Sequence, residues 1–151
     1  MVRTLQQALG LGERYEFWLR ELVRINEEEA ARAGRPPLPL WDFSDANTIT
    51  REPVPTSTDM TPMRWFWEHS HYRKITGDLV LDRVFGTSVP ERPLPADFGV
   101  PLTGTSVDAH IARSRSDLQG WAAANSDLVA PIVGMAQTST THSRQAEAIC
   151  W

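Results

Sequence analysis

The stretch that decides the fold class joins an amphipathic segment, Tyr15-Glu-Phe-Trp-Leu-Arg-Glu-Leu-Val-Arg-Ile25, to a short apolar one, Leu38-Pro-Leu-Trp-Asp-Phe43. In the first, apolar residues recur at spacings of three and four, which predicts a helix with one buried face. Gly34 and the two prolines that follow it end this helix. The second segment is short, apolar and bounded by turn residues, as a buried strand is. A helix, a short loop and a strand in this order predict half of a parallel α/β repeat.

Two more helices are predicted downstream. Apolar residues that include Ile75 and Leu79 predict a helix over 73–85, with Gly86 as its C-cap. A hydroxyl residue followed three positions later by a carboxylate starts another helix at Thr105, which extends to about Asn125. Its apolar stripe is narrow, so we expect an edge helix rather than a core helix.

The remaining segments lack a hydrophobic period. Residues 44–62 and 87–104 are rich in proline, and the first is too long to be a bare connector, so it is either a functional or a flexible loop. The sequence loses all pattern from Gly134 onward. We therefore predict one domain over residues 1–130 and a disordered tail over 131–151.

Composition and charge exclude several classes of protein. The formal charge is −4 and no stripe of lysine and arginine exists, so a nucleic-acid partner is not expected. Cys150 is the single cysteine, which excludes a disulfide framework and a cysteine-based metal site. The first residues lack an apolar signal core, and no run approaches the roughly 18 apolar residues of a membrane span. As written, the chain predicts a cytoplasmic protein with no membrane segment.

The stretch Met63-Arg-Trp-Phe-Trp-Glu-His-Ser-His-Tyr72 carries the strongest chemical signal. Glu68 precedes His71 by three residues, so its carboxylate can approach one imidazole nitrogen and fix the tautomer, while the other nitrogen serves as a general base. The structural alternative is that His71 packs beside the following helix and Glu68 is solvated. The three aromatic residues of the stretch are more typical of core and loop anchors than of a ligand cage.

His69 and Asp42 are further candidate functional residues, and each allows more than one interpretation. His69 and His71 would share one face of a strand, so they could hold a metal ion with Glu68 or Asp42, although no third ligand stands at a known spacing. Asp42 is predicted near the carboxyl end of the strand, where open α/β sheets bind ligands. It could orient His71, or it could cap the turn over Ser44–Asn47, as aspartates commonly do. We predict no cofactor.

Several motifs resemble a known family. They are Leu40-Trp-Asp-Phe-Ser-Asp-Ala-Asn47, Thr50-Arg-Glu-Pro-Val-Pro55, Trp67-Glu-His-Ser-His-Tyr72 and Gly77-Asp-Leu-Val-Leu81. Together they resemble the C-terminal part of bacterial SGNH/GDSL-like hydrolases, in particular relatives of the alginate O-acetylation proteins, over residues 13 to about 130. The resemblance implies a partial flavodoxin-like three-layer α/β fold, serine esterase or O-acyl-transfer chemistry, and a membrane-anchored or periplasmic parent protein. His71 matches the family's general base, and Glu68 stands where an aspartate is usual.

The chain also departs from that family. It has no Gly-Asp-Ser block, since Gly77-Asp78 is followed by leucine and comes after the histidine. One hypothesis is therefore a hydrolase fragment that carries the base, oriented by Glu68 or Asp42, for a small-molecule or polysaccharide ester, and is inactive alone. The alternative is a non-catalytic interaction module that docks through an exposed Trp/Phe surface. Both predict a large exposed apolar patch where further strands would pack.

Overall fold

The computed structural model describes residues 2–55, 58–68 and 71–149, with the backbone alone for Val2 and for 138–149. Its elements are five helices and two strands in that part of the chain. The helices are α1 (Val2–Ala8), α2 (Gly12–Arg32), α3 (Lys74–Phe85), α4 (Val107–Ala124) and α5 (Ser126–Ile149), and the strands are β1 (Leu40–Asp42) and β2 (Val100–Leu102). The chain is thus a mixed, helix-rich α/β protein. None of the helices in the described ranges is long and apolar enough to cross a membrane.

The two strands form an antiparallel pair. Leu40 pairs with Leu102, and Asp42 pairs with Val100. The expected half of a parallel repeat is therefore wrong, and a flavodoxin-like arrangement is not confirmed. The physical reason is β2, which lies in a segment that the sequence predicts to be a proline-rich connection. This short strand is enough to pair with the backbone N–H and C=O groups along one edge of β1. Asp42 is the last residue of β1, as predicted.

Two small hydrophobic cores hold the fold together. In the first, Leu19 and Val23 of α2 pack with Leu102, Val107 and Ile111. The expected edge position of α4 is wrong, because this helix also buries His110 and Ser114 on the same face. The apolar stripe of α4 is narrow because the buried face of this helix also includes polar residues. These residues find partners inside the protein, and a pattern of apolar residues alone does not detect them.

The second core fixes the proline-rich loop after β1. Ile49, Leu79 and Phe98 are fully buried or nearly so and lie together, with Trp65 and Phe66 packed against them. Asn47 shapes the loop, since its side-chain oxygen accepts hydrogen bonds from the backbone of Ile49 and of the following residue, each at 3.0 Å. This part of the loop is therefore anchored rather than flexible.

The C-terminal part also differs from the sequence-based expectation. Residues from Gly134 onward, predicted to lack structure, continue α5 as a helix to Ile149. Ile132 and Ala136 are buried in it. Side chains that bury one face of a helix against the rest of the chain can compensate for a sequence of low helical propensity.

One glycine is required for close packing beside β2. Gly99 has φ +84°, and a Cβ at this position would lie 2.5 Å from a ring carbon of Phe43 and 2.9 Å from Cγ of Arg83. Arg83 in turn donates a hydrogen bond from Nε to the carbonyl of Phe98 at 2.7 Å. Both the backbone conformation and the available space thus exclude a side chain here.

Candidate functional site

The predicted pair Glu68 and His71 stands at a tight reversal of the chain. Phe66 and Tyr72 form an isolated antiparallel bridge, and the backbone N–H of Trp67 donates to the carbonyl of His71 at 2.8 Å. The two residues between Glu68 and His71 lie outside the described ranges. Because the bridge closes the reversal on both sides, the side chains of Glu68 and His71 are brought to the same end of it.

These two side chains are in contact. Oε1 of Glu68 meets Nδ1 of His71, and the two side chains are 42% and 79% exposed, respectively. A carboxylate at Nδ1 favours the tautomer that carries its hydrogen there, which makes Nε2 the basic nitrogen. Because the imidazole is largely in solvent, a substrate or a second segment of protein can approach it.

The reversal is fastened to the rest of the fold. Arg73 donates from Nε to the carbonyl of Phe66 at 3.1 Å and stacks its guanidinium over the ring of Trp67, 3.9 Å from the centroid. Thr76 of α3 donates its hydroxyl to the carbonyl of Trp65 at 2.8 Å. The carboxylate of Glu52 accepts from the backbone N–H of Trp65 at 2.9 Å. An exposed imidazole is thereby carried on a rigid support.

Asp42 belongs to a different constellation. Its Oδ2 lies 2.8 Å from Nε2 of His110, and its Oδ1 accepts from both the backbone N–H and the hydroxyl of Ser44, each at 2.8 Å. Burial by itself would raise the pKa of Asp42, but the bonds from His110 and Ser44 outweigh burial, so that the pKa is lowered. The predicted turn-capping role of Asp42 is present in these contacts with Ser44. Its described hydrogen bonds do not include one to His71.

The tautomer of His110 follows from its neighbours. Nη2 of Arg113 faces Nδ1 of His110 at 3.4 Å. Arginine has no acceptor, so Nδ1 accepts and Nε2 carries the hydrogen that Asp42 receives. The imidazole side chain is only 1% exposed. His110 is therefore a buried link between β1 and α4 rather than a group that a substrate can reach.

Ser44 and Tyr15 extend this buried network to the surface. The hydroxyl of Tyr15 lies 2.7 Å from Oγ of Ser44, which itself donates to Asp42. Burial raises the pKa of Tyr15, and the bond with Ser44 acts in the opposite direction. The order serine–aspartate–histidine differs from that of a catalytic triad, in which the imidazole lies between the hydroxyl and the carboxylate. Ser44 thus lacks the base that would activate it.

A second aspartate completes the network. Asp45 accepts from the hydroxyl of Ser114 at 2.6 Å, and its other oxygen lies 4.0 Å from Nδ1 of His110. The sequence-based reasoning missed His110, Ser114 and Asp45 as interacting groups. A signal existed for two of them: His110 and Ser114 fall on the helical face that Val107 defines, at spacings of three and four. Nothing in the sequence paired them with the turn after β1.

The residues that the structure describes provide no third ligand for the predicted metal site at His69 and His71. Among the side chains that the structure describes, no group of three or more histidine, cysteine, aspartate or glutamate residues could hold an ion. His69, one of the two histidines of that alternative, lies outside the described residues.

No protein-family model, no curated protein and no solved structure matches this chain. The function therefore has to be inferred from its own residues.

Proposed function

We propose that the chain carries the general-base part of an SGNH-like serine esterase or O-acyltransferase, with the nucleophile contributed by a segment outside these residues. The observation that supports this most directly is the contact between Glu68 and Nδ1 of the exposed His71. The resemblance of the surrounding motif to the last block of that family points to the same role.

The chemistry of this pair is that of a base and its orienting acid. Nε2 of His71 would take the proton of an attacking serine hydroxyl and later return it to the leaving alcohol. Glu68 would hold the ring in position and stabilise the imidazolium that forms. A glutamate three residues before the histidine reaches Nδ1 across the closed chain reversal, so the longer side chain does not prevent the interaction. The substrate would be an ester of a small molecule or a polysaccharide.

The nucleophile is placed outside the chain for two reasons. Ser44, a serine that the structure describes beside the Asp42–His110 pair, donates to Asp42 and not to an imidazole. The Gly77-Asp78 dipeptide lies within α3, where Leu79 follows and is fully buried. A triad without its nucleophile retains at most the residual rate that binding and polar groups supply.

Co-expression with a neighbouring coding segment that contains a Gly-Asp-Ser block tests the proposal. The purified complex should hydrolyse p-nitrophenyl acetate, and His71→Ala should lower that rate by roughly three orders of magnitude or more. His69→Ala is the matched control because it removes an imidazole two residues away. Co-purification of the two segments should be unchanged in both variants.

Each outcome of this experiment is informative. Loss of activity in His71→Ala with retention in His69→Ala supports the general base. Full activity of His71→Ala contradicts it. Equal loss in both variants, together with inactivation of the unaltered complex by a chelator and its recovery on added zinc, would replace the general base by a metal site. His71-dependent turnover by the chain alone would contradict the placement of the nucleophile elsewhere.

A second candidate function rests on the outer face of α2. Trp18, Leu22 and Ile25 follow one another at helical spacing and are 53%, 36% and 47% exposed, and Phe17 beside them is 64% exposed. A row of large apolar side chains in solvent is typical of a surface that another protein covers. The chain would then be a non-catalytic interaction module.

Substitutions on α2 separate the two candidates. Trp18→Ser combined with Leu22→Ser should abolish association in either case. If the chain is only an interaction module, the complex should show no ester hydrolysis at all, and His71→Ala should change nothing. Association that survives the double substitution would exclude this face as the docking surface.

A further inference from the structure

Two neighbouring pockets lie beside α1, away from the Glu68–His71 contact in sequence. The first, of about 40 Å³, has Arg3, Ser44 and Arg51 in its wall. The second, of about 170 Å³, is formed between α1, α4 and α5. Thr4 and Leu118 line both, so the two pockets share a wall.

Thr4 is an unusual residue for that wall. It is 4% exposed, and its hydroxyl oxygen is buried without a hydrogen-bond partner in the described part of the chain. A buried hydroxyl left unpaired is unfavourable, and such groups in native proteins usually indicate a water, an ion or a ligand that completes them. This unpaired hydroxyl belongs to a residue that lines both pockets, although the oxygen itself lies beneath the pocket surface.

The first pocket has an excess of positive charge. Arg3 is held in place by stacking on the ring of Tyr15, 3.6 Å from the centroid, and by a bond to Gln6 at 3.1 Å. Arg51 is a second arginine in the lining. Asp45 is the one carboxylate in the lining, and its oxygens already face the partners described above. Two guanidinium groups against one bonded carboxylate favour an anion, and a guanidinium matches a carboxylate geometrically.

The second pocket is apolar. Its wall includes Leu118, Ala122, Val129 and Val133, and the charged residue types are absent from its lining. At roughly 30 Å³ for each water-sized group, its volume suits a chain of about five or six methylenes. The pocket is partly open to solvent, so an alkyl chain can enter it from solution, and burial of that chain against the apolar wall is favourable.

We propose that the two pockets together bind a medium-chain carboxylate, with the carboxylate between Arg3 and Arg51 and the alkyl chain between α1, α4 and α5. The site is separate from the proposed general base and does not depend on that function. It uses the stacked Arg3, the second arginine Arg51 and an apolar pocket, which adjoin at the shared lining residues Thr4 and Leu118.

Titration of the unaltered full chain with butyrate, hexanoate and octanoate tests this site. Binding is followed by two-dimensional NMR of the arginine Nε–H and the leucine and valine methyl groups. Affinity should rise about fourfold for each added methylene until the apolar pocket is full. Octanol and inorganic phosphate serve as probes of the tail alone and of the charge alone, and each should bind at least tenfold more weakly than octanoate.

Amino-acid substitutions then test the contributions of the arginine-containing pocket and of the apolar pocket separately. Arg3→Gln and Arg51→Gln should each weaken octanoate about tenfold, whereas Arg14→Gln, an exposed arginine outside both linings, should not. Val133→Trp should fill the apolar pocket and reduce the chain-length dependence. Since the chain-length series uses the unaltered protein, it remains decisive even if Val133→Trp fails to fold.

Several results would contradict the proposed carboxylate site. Octanol that binds as tightly as octanoate would show that the arginines do not select an anion. Phosphate that binds as tightly would show an anion site without a tail. Affinity independent of chain length, or the absence of shifts at Leu118 and Val133, would overturn the proposal.

Discussion

Replacing Asp42 by asparagine tests the buried network that joins β1 to α4. The carboxylate uses both oxygens as acceptors, one toward Nε2–H of His110 and the other toward Ser44. An asparagine of the same shape has one acceptor and one donor. In either orientation of the amide, its NH2 group must face an N–H, of the imidazole or of the backbone.

The expected cost follows from that conflict. The variant loses a hydrogen bond to a charged acceptor, which contributes about 1.5–3 kcal/mol, and leaves a buried donor unpaired at about 1–3 kcal/mol. His110 cannot relieve the conflict by changing its tautomer, because Nδ1 would then present a hydrogen to Arg113. We therefore expect Asp42→Asn to reduce the free energy of unfolding by about 3 kcal/mol, a large fraction of the stability of a small domain.

Urea unfolding followed by tryptophan fluorescence and circular dichroism measures the effect. Asp108→Asn is the matched control, since Asp108 is 75% exposed in its pair with Arg20 and should contribute less than about 1 kcal/mol. The pKa of Asp42 is lowered in the folded state from its ordinary value of 3.8. Its contribution is therefore present above that ordinary pKa and is lost as the pH falls through the lower folded-state value.

The difference between the unaltered protein and Asp42→Asn should accordingly be constant near neutral pH and shrink below pH 3.8. A difference below about 0.5 kcal/mol at neutral pH would refute the assignment of Asp42 as the acceptor of two buried donors. A difference that does not change with acid would refute the ionised state of its carboxylate.

Three further perturbations have defined outcomes. Gly99→Ala should destabilise the protein by about 2 kcal/mol, because of the positive φ and the two close neighbours of a Cβ there. The control Gly120→Ala, which has open space around it in α4, should be neutral or stabilise the protein by up to about 1 kcal/mol. Equal unfolding midpoints of the two variants would contradict the close packing at Gly99. Glu68→Ala should return His71 to a mixture of tautomers, read from long-range 1H–15N correlations, and an unchanged spectrum would show that the contact does not orient the ring. Trp18→Ser should lower the concentration-dependent mass measured by light scattering, and an unchanged mass would argue against an adhesive face on α2.

Sequence patterns were sufficient for elements that are defined locally. The period of three and four in the first helix, and the stop at Gly34 and the prolines, gave α2 nearly to its boundaries. The same reasoning placed α3, and it placed Asp42 at the end of a strand. Glu68 and His71 were paired from their spacing alone, and they do lie in contact, although their catalytic role remains a prediction.

Only the tertiary structure decided how distant segments pair. The partner of β1 lies 58 or more residues further along the chain, and the partner of Asp42 is a histidine 68 residues away on α4. Hydrophobic periodicity reports which face of an element is buried, but it carries no information about what covers that face. The sequence by itself thus determined α2, α3 and α4, the strand end and the local acid–base pair. The antiparallel sheet and the buried His110 depended on contacts between segments that no local pattern encodes.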